Sequence, residues 1–413
     1  MSGTIPPADA PAEPPAEPLR EAPHSRGRVV TILGIGQILA WGSTYYLPAV
    51  LAPAMAADTG WPLAWIVGGF SLALLAGGLM AASVGRWIER FGGRPVLAAG
   101  TGLIVVGLAG LAWSPSLPVY IAAWLVTGLG MAAGLYDAAF STLGRLYGRD
   151  ARSAITNLTL FGGFASTVCW PLSAVMLDAF GWRGVCLGYA AVHLAVVLPA
   201  YLCALPREPA HRPVSGATRD DDGARPHPGL FVLVAAGLTL GSAISSVVSV
   251  HLLTILQARD IALAAAVALG AVVGPSQVAA RMVEKLAGER YHPVWTVIVS
   301  NLLVTAGLGL LFAGLPLLSA CLVLYGAGIG IKSIARGTLP LALFGPRGYA
   351  ETMGRLAMPN LIVQAASPSI GALLLEGVGA DGTLAALTAA SAVTVALSLA
   401  LLPAVYGRAF ARG

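Results

Sequence analysis

This chain has little charge: 10% of its 413 residues are Asp, Glu, Lys or Arg, whereas 57% are hydrophobic and the mean hydropathy is +0.79. A soluble domain carries roughly a quarter of its residues charged, so this composition excludes a soluble globule of the same length. The four cysteines, Cys169, Cys186, Cys203 and Cys321, lie in or at the ends of apolar stretches without metal-ligand spacing. They read as small core hydrophobes. No HExxH, CxxC, Walker or nucleophile-elbow pattern occurs. An intramembrane enzyme needs convergent acid, base or nucleophile side chains, and Asp137, His193 and His251 are scattered over different apolar segments. The reading is therefore not an enzyme, with no cofactor and no metal.

What is present is apolar length. Runs of roughly 20 residues, enough to cross a ~30 Å hydrocarbon core as helices, begin near Val29, Pro62, Val96, Leu117, Ile155, Gly184, Gly229, Ala262, Val294, Leu315, Leu356 and Leu384. They are continuous and rich in Leu, Ala and Gly, whereas barrel strands alternate over ~10 residues. The expectation is an all-α membrane protein of about twelve spans.

Basic residues partition almost completely when the spans alternate. Arg26, Arg28, Arg86, Arg90, Arg94, Arg145, Arg149, Arg152, Arg281, Lys285, Arg290, Arg347, Arg355 and Arg408 fall on one side, and only Arg183 and Arg259 on the other. The positive-inside rule then puts both termini in the cytoplasm of a multi-pass inner-membrane protein. The net charge of +5 follows from topology and requires no nucleic-acid partner.

Residues 1–27, rich in proline and acids, read as a disordered cytoplasmic tail. Polar residues over 206–228 read as a cytoplasmic linker between a first half, 28–205, and a second, 229–405, with 406–413 as a cytoplasmic tail. The halves repeat. Gly85 to Arg94 is echoed by Arg281 to Arg290, Gly128-Leu-Gly130 by Gly328-Ile-Gly330, and Arg152 to Leu158 by Arg355 to Leu361. Parallel repeats of this kind are the architecture of rocker-switch carriers, with a solute site near the midplane between the halves.

On these residues the chain resembles the major facilitator superfamily from about Arg28 to Arg408. Its signature loop maps onto Gly85, Glu89, Arg90, Gly92 and Arg94, with Glu89 in place of the usual Asp and Gly93 in place of a basic residue. Glu284 and Lys285 keep a weaker second copy. The resemblance implies two pseudo-symmetric six-helix halves, alternating access, and a cytoplasmic gate in that loop. The fourth-span Arg of the family is Trp124 here, and the fifth-span glycine-rich segment is reduced to Gly162, Gly163 and Pro171.

Asp58-Thr-Gly-Trp61, Phe70-Ser71-Leu72 and the signature loop are similar to the bacterial monocarboxylate and oxalate/formate branch, which implies small organic anions as cargo. That branch is expected to hold a buried Arg in the eighth span, here read as the uncharged Ala262 to Ala280. The runner-up cargo is a hydrophobic or metalloid compound, moved by efflux.

Ionisable groups inside a span cost of the order of 2.5–3.5 kcal/mol each, which marks the few present. Asp137, ~30 Å along its helix from Leu117, is the proton-coupling candidate, with an ion pair to the Arg86–Arg94 loop as the rival role. Lys332, ~24 Å along from Pro316, is the candidate cation for an anionic solute, with Arg336 one turn beyond. Gln37, Trp41 and Tyr45 share one helix face, and Asn360 and Gln364 are one turn apart beside Pro359 and Pro368. These four polar and two aromatic groups, Gln37, Trp41, Tyr45, Lys332, Asn360 and Gln364, are the expected solute-binding set. The expected partners are the small-molecule solute, the proton as co-substrate and the lipid bilayer, with the chain itself a monomer.

Overall fold

In the computed structural model, residues 26–207, 228–287 and 290–410 are described. The proposed N-terminal tail up to residue 25, and most of the proposed linker, lie outside them. Every regular element among the described residues is helical. Apolar sequence explains this, because hydrocarbon offers no partner for backbone N–H and C=O and a helix satisfies them internally. Before the undescribed stretch come α1 Arg26–Ser43, α2 Leu47–Thr59, α3 Leu63–Phe91, α4 Gly93–Ala112, α5 Leu117–Gly134, α6 Tyr136–Tyr147, α7 Ala151–Gly163, α8 Ala165–Val192 and α9 Leu198–Ala204. After it come α10 Pro228–Gln257, α11 Leu263–Ala271, α12 Val273–Ala287, α13 Pro293–Phe312, α14 Leu318–Phe344, α15 Tyr349–Leu399 and α16 Leu402–Phe410. We refer to α1–α9 and α10–α16 as the first and second helix sets.

Among the described residues, eight helical stretches are long and apolar enough to cross a membrane. Two of them run further than one crossing. Leu117–Ala204 is 88 residues, ~130 Å at 1.5 Å per residue, and it breaks at Leu135, at Gly148–Asp150, at Phe164 and at Gly181. The chain reverses where glycine adopts positive φ: Gly181 (φ 67°) inside α8 and Gly379 (φ 70°) inside α15, a backbone region open to glycine at no steric cost.

The stretch read as a signature loop is mostly helix. α3 runs to Phe91, α4 starts at Gly93, and Gly92 (φ 86°) alone forms the turn. The echo containing Glu284 and Lys285 is likewise part of α12. Charged residues at the ends of apolar runs extend helices beyond what hydropathy marks, since Glu, Lys and Arg are good helix formers.

At the end rich in arginine the two sets pack directly. A Cβ on Gly85 would lie 2.3 Å from the Ala350 carbonyl oxygen, and one on Gly354 would lie 2.4 Å from that of Ala81. Small residues let helix backbones approach this closely, so α3 and α15 touch backbone to backbone. One core cluster crosses the seam there, joining Val84, Ile88, Phe140 and Leu143 to Leu341, Tyr349 and Met353. Towards the other end, none of α2, α8, α10 or α11 packs substantially against the opposite set among the described residues.

That other end carries a matched pair of clasps. In the first set Arg183 pairs with Asp58, and the Trp182 indole donates to the same carboxylate at 3.0 Å. In the second set Arg259 pairs with Asp381 at 2.6 Å and also donates to the Leu311 and Phe312 carbonyls. Arg183 and Asp381 each lie two residues after a positive-φ glycine, Gly181 and Gly379, so the two clasps occupy equivalent positions with the charges exchanged.

The Arg183 guanidinium and the Trp182 indole hold the Asp58 carboxyl below the usual carboxylate range. A lowered folded-state pKa gives stability that is present above the unfolded value and lost as pH falls through the folded one. Asp58→Asn is therefore expected to lower the thermal midpoint modestly at pH 7, and the difference from the unaltered chain should shrink as melts are repeated at falling pH and vanish once the folded carboxylate is protonated.

Candidate functional site

Between the two sets lies a cavity lined by Trp41 of α1, by Tyr45 in the turn after it, by the glycine and alanine face of α3, by Tyr136 and Asp137, and by Arg336, Leu361 and Gln364.

Asp137 is positioned by a broken helix. α5 ends at Gly134, Leu135 is extended (φ −86°, ψ −169°), and α6 restarts at Tyr136 with Asp137 in its first turn. A helix N-terminus carries partial positive charge and free N–H groups, which favours an acid there. The break leaves carbonyls of α5 without helical partners, and the Gln37 amide nitrogen donates to Gly134 O at 2.7 Å. Its oxygen accepts from the Trp41 indole at 3.2 Å. Gln37 is thus fully buried and outside the cavity lining, where it fixes both the break and Trp41.

Asp137 meets Arg336 of α14 across the seam, Oδ2 to a guanidinium nitrogen at 2.6 Å, with the two side chains 18% and 19% exposed. The rival pairing with the Arg86–Arg94 stretch is absent among the described ion pairs. Asn360 completes the cluster: with its amide oxygen turned to Arg336, that oxygen accepts from both terminal nitrogens at 2.8 and 2.9 Å, the orientation its hydrogen-bond surroundings select. The second carboxylate oxygen of Asp137 is buried without a hydrogen-bond partner.

The remaining wall is aromatic. Trp41 packs edge-on to Tyr45 at 5.0 Å and tilts against Tyr136 at 5.1 Å, while Tyr136 stacks on Phe140 at 5.1 Å. Such geometry follows from the ring quadrupoles and makes a stiff surface beside the ion pair.

Arg281 escaped the sequence reading, which ended its span at Ala280. α12 continues through Ala287 and buries Arg281 to 6% exposure. Its guanidinium donates to Thr159 O at 3.0 Å, to Gly330 O at 3.2 Å and to Gln277 Oε1 at 3.3 Å. Thr159 O also accepts from the Tyr136 hydroxyl at 3.4 Å, so Arg281 sits one carbonyl behind the cavity wall and ties α12 to α7 across the seam. Gln277, one turn before Arg281, was the available signal of a continuing polar helix face.

The other candidates separate. Gln364 lines the cavity and Lys332 does not; it faces a second cavity inside the second helix set. Glu89 lends its backbone carbonyl to Arg145, and Arg90 stacks over Phe91 at 5.1 Å. Gly85 packs on Ala350, Gly92 makes the turn, and Arg94 is half-buried at the start of α4. Glu284 is buried and accepts from Thr296 at 2.8 Å and from Tyr291, whereas Lys285 is exposed. Burial and the Glu284 carboxylate push the Tyr291 phenol up to about 12, which keeps it a donor at neutral pH. No group of three or more possible metal ligands occurs among the described residues.

Removing one partner of a buried ion pair strands the other, a loss of about 3–5 kcal/mol for fully buried pairs. With both side chains a fifth exposed, Asp137→Asn is expected at the low end, about 3 kcal/mol, read as a lower thermal midpoint. The double variant Asp137→Asn/Arg336→Gln should recover part of it. At the sealed end, Gly85→Val forces a side chain into the Ala350 carbonyl and should open that seam, measured as faster labelling of a cysteine placed at Ser141 by a reagent applied from the arginine-rich side.

Compared with known proteins, residues 33–290 match the family described as Major Facilitator Superfamily. The human protein "Monocarboxylate transporter 11" is 29% identical over 338 residues, covering 76% of this chain and 69% of that protein. The structure is similar to that of the human organic anion transporter MFSD10 (TETRAN), with TM-score 0.74 at 16% identity over 91% of this chain and 99% of that one. It is also similar to the proton:xylose symporter XylE, with TM-score 0.71 at 14% identity over 92% of this chain and 96% of that one.

Proposed function

This chain belongs to the Major Facilitator Superfamily, a family of multi-pass membrane transporters and not of enzymes, and from that premise we propose that it moves a small organic carboxylate by alternating access. The observation that carries the cargo is the half-buried guanidinium of Arg336 on the cavity, with the buried Arg281 one carbonyl behind the wall. Arg presents a fork of donors that matches a carboxylate. Monocarboxylate transporter 11, at 29% identity, supports the same chemistry, and the bacterial monocarboxylate and oxalate/formate branch is our placement within the family.

In this reading about twelve crossings form two six-helix halves. α1 with α2 makes the first crossing, and Gly181 and Gly379 divide the longest stretches. The matched clasps at Asp58–Arg183 and Arg259–Asp381 fit such a repeat. The arginine-rich end faces the cytoplasm of the inner membrane, so the packed seam at Gly85, Ala350 and Gly354 is a closed inner gate and the cavity opens outward. Glu89, Arg90, Gly92 and Arg94, with Glu284 and Lys285 in the second half, form the hinge ends of that gate.

The solute carboxylate would reach Arg336 in competition with Asp137. A proton delivered to Asp137 removes the competitor and leaves the guanidinium for the solute, which couples one proton to one anion. Trp41, Tyr45 and Gln364 then line the organic part of the solute, with Gln37 and Asn360 positioning Trp41 and Arg336. Efflux of hydrophobic or metalloid compounds is not favoured, because an apolar cargo gives no use for a guanidinium facing the cavity at Arg336.

The test is counterflow uptake of labelled monocarboxylates and dicarboxylates into liposomes containing the purified protein. Saturable uptake of a monocarboxylate is expected, reduced roughly 10- to 100-fold in Arg336→Ala, the loss of one charge-assisted contact of about 1.5–3 kcal/mol. No uptake of any carboxylate by folded protein would overturn the cargo assignment.

A further inference from the structure

We propose that the second helix set holds a compact monovalent anion between Lys332 and Asn301, in a cavity separate from the one at the seam. This small cavity lies among α10, α13, α14 and the last turns of α15. Its polar lining is sparse and its walls are aliphatic, among them Leu238, Val297, Leu339 and Leu397.

Three observations point to an anion. The Lys332 ammonium reaches its place through a notch at Gly241, where a Cβ would lie 2.0 Å from Nζ, so α10 is built around it. Among the described residues no acid lines the cavity, and Asp137, which faces α14 from the opposite set, is paired with Arg336. Lys332 is half-buried, and holding an ammonium among aliphatic groups without a counter-charge is unfavourable. Asn301 supplies the third: it is 2% exposed, its amide nitrogen donates to Thr394 O at 3.1 Å, and its oxygen has no partner.

That oxygen cannot meet a bare anion and demands a hydrogen. The bound species must therefore offer negative charge to Lys332 and an O–H to Asn301. A halide with one water supplies both, and so does a small 2-hydroxycarboxylate through its own hydroxyl. Dianions and bulky sulfonates do not fit one cation in an aliphatic cavity. The site is independent of the transport reading, since neither Arg336 nor Arg281 contributes to it.

The experiment is thermal unfolding of the purified full chain at fixed ionic strength, replacing the bulky sulfonate HEPES stepwise by bromide or by glycolate. A saturating rise of about 2–4 °C is expected with at least one of them, and which one distinguishes the inorganic from the organic source. Lys332→Met should abolish the rise. Asn301→Asp supplies a fixed carboxylate and should also abolish it, while melting at or above the unaltered chain in HEPES alone. No saturating rise with either anion, or a full rise retained in Lys332→Met, would overturn the site. Should Lys332→Met fail to fold, a full bromide or glycolate dependence in Asn301→Asp would overturn it equally.

Discussion

Hydrocarbon does not tolerate an unpaired charge, and the Asp137–Arg336 pair at 2.6 Å is where this molecule meets that constraint at its centre. Each partner alone would cost several kcal/mol in the bilayer. Joined, they link the first helix set to the second across the cavity. The fold around them serves that junction: α5 breaks at Leu135 so that Asp137 enters the first turn of α6, and Gln37 closes the hydrogen-bonding deficit the break creates.

The same constraint explains how such a junction can be reversible. A buried pair contributes little net stability relative to its separated, solvated partners, so a competing carboxylate or a proton can replace one half of it at small cost. The packed seam at the arginine-rich end has the opposite character. Gly85 and Gly354 meet facing carbonyls with no side chain between them, a contact made by shape and lost over a short displacement. A charge pair that can be exchanged, next to a glycine seam that cannot deform gradually, suits two discrete arrangements of the helix sets.

Much of this was legible in the sequence. The apolar runs beginning near Pro62, Leu117, Gly229 and Ala262 became α3, α5, α10 and α11 within a residue or so, because span-length hydrophobicity has few other uses. Asp137, Trp41, Tyr45 and Gln364 converge on one cavity, and the ionisable residues within apolar runs stood out by being rare. The helix ends were less visible. Hydropathy stops at the first charge, so Arg281 was left in a loop although α12 buries it, and α15 begins at Tyr349, ahead of the apolar run at Leu356. The partner of Asp137 and the side on which Lys332 lies are set by helix rotation and by contacts across 199 residues of sequence. No local pattern encodes those, and the Gly241 notch that admits Lys332 reads in the sequence as one glycine among 51.

The central claim is that the two helix sets separate at the arginine-rich end when the Asp137–Arg336 pair is exchanged. Paired spin labels at Arg86→Cys and Arg347→Cys, exposed residues of opposite sets, introduced after replacing Cys169, Cys186, Cys203 and Cys321, report that distance directly. The account predicts one short distance population in the ligand-free protein at neutral pH, and a second, longer one when a transported carboxylate is added at acid pH. A distribution that stays unchanged under conditions where the labelled protein carries out counterflow would contradict it.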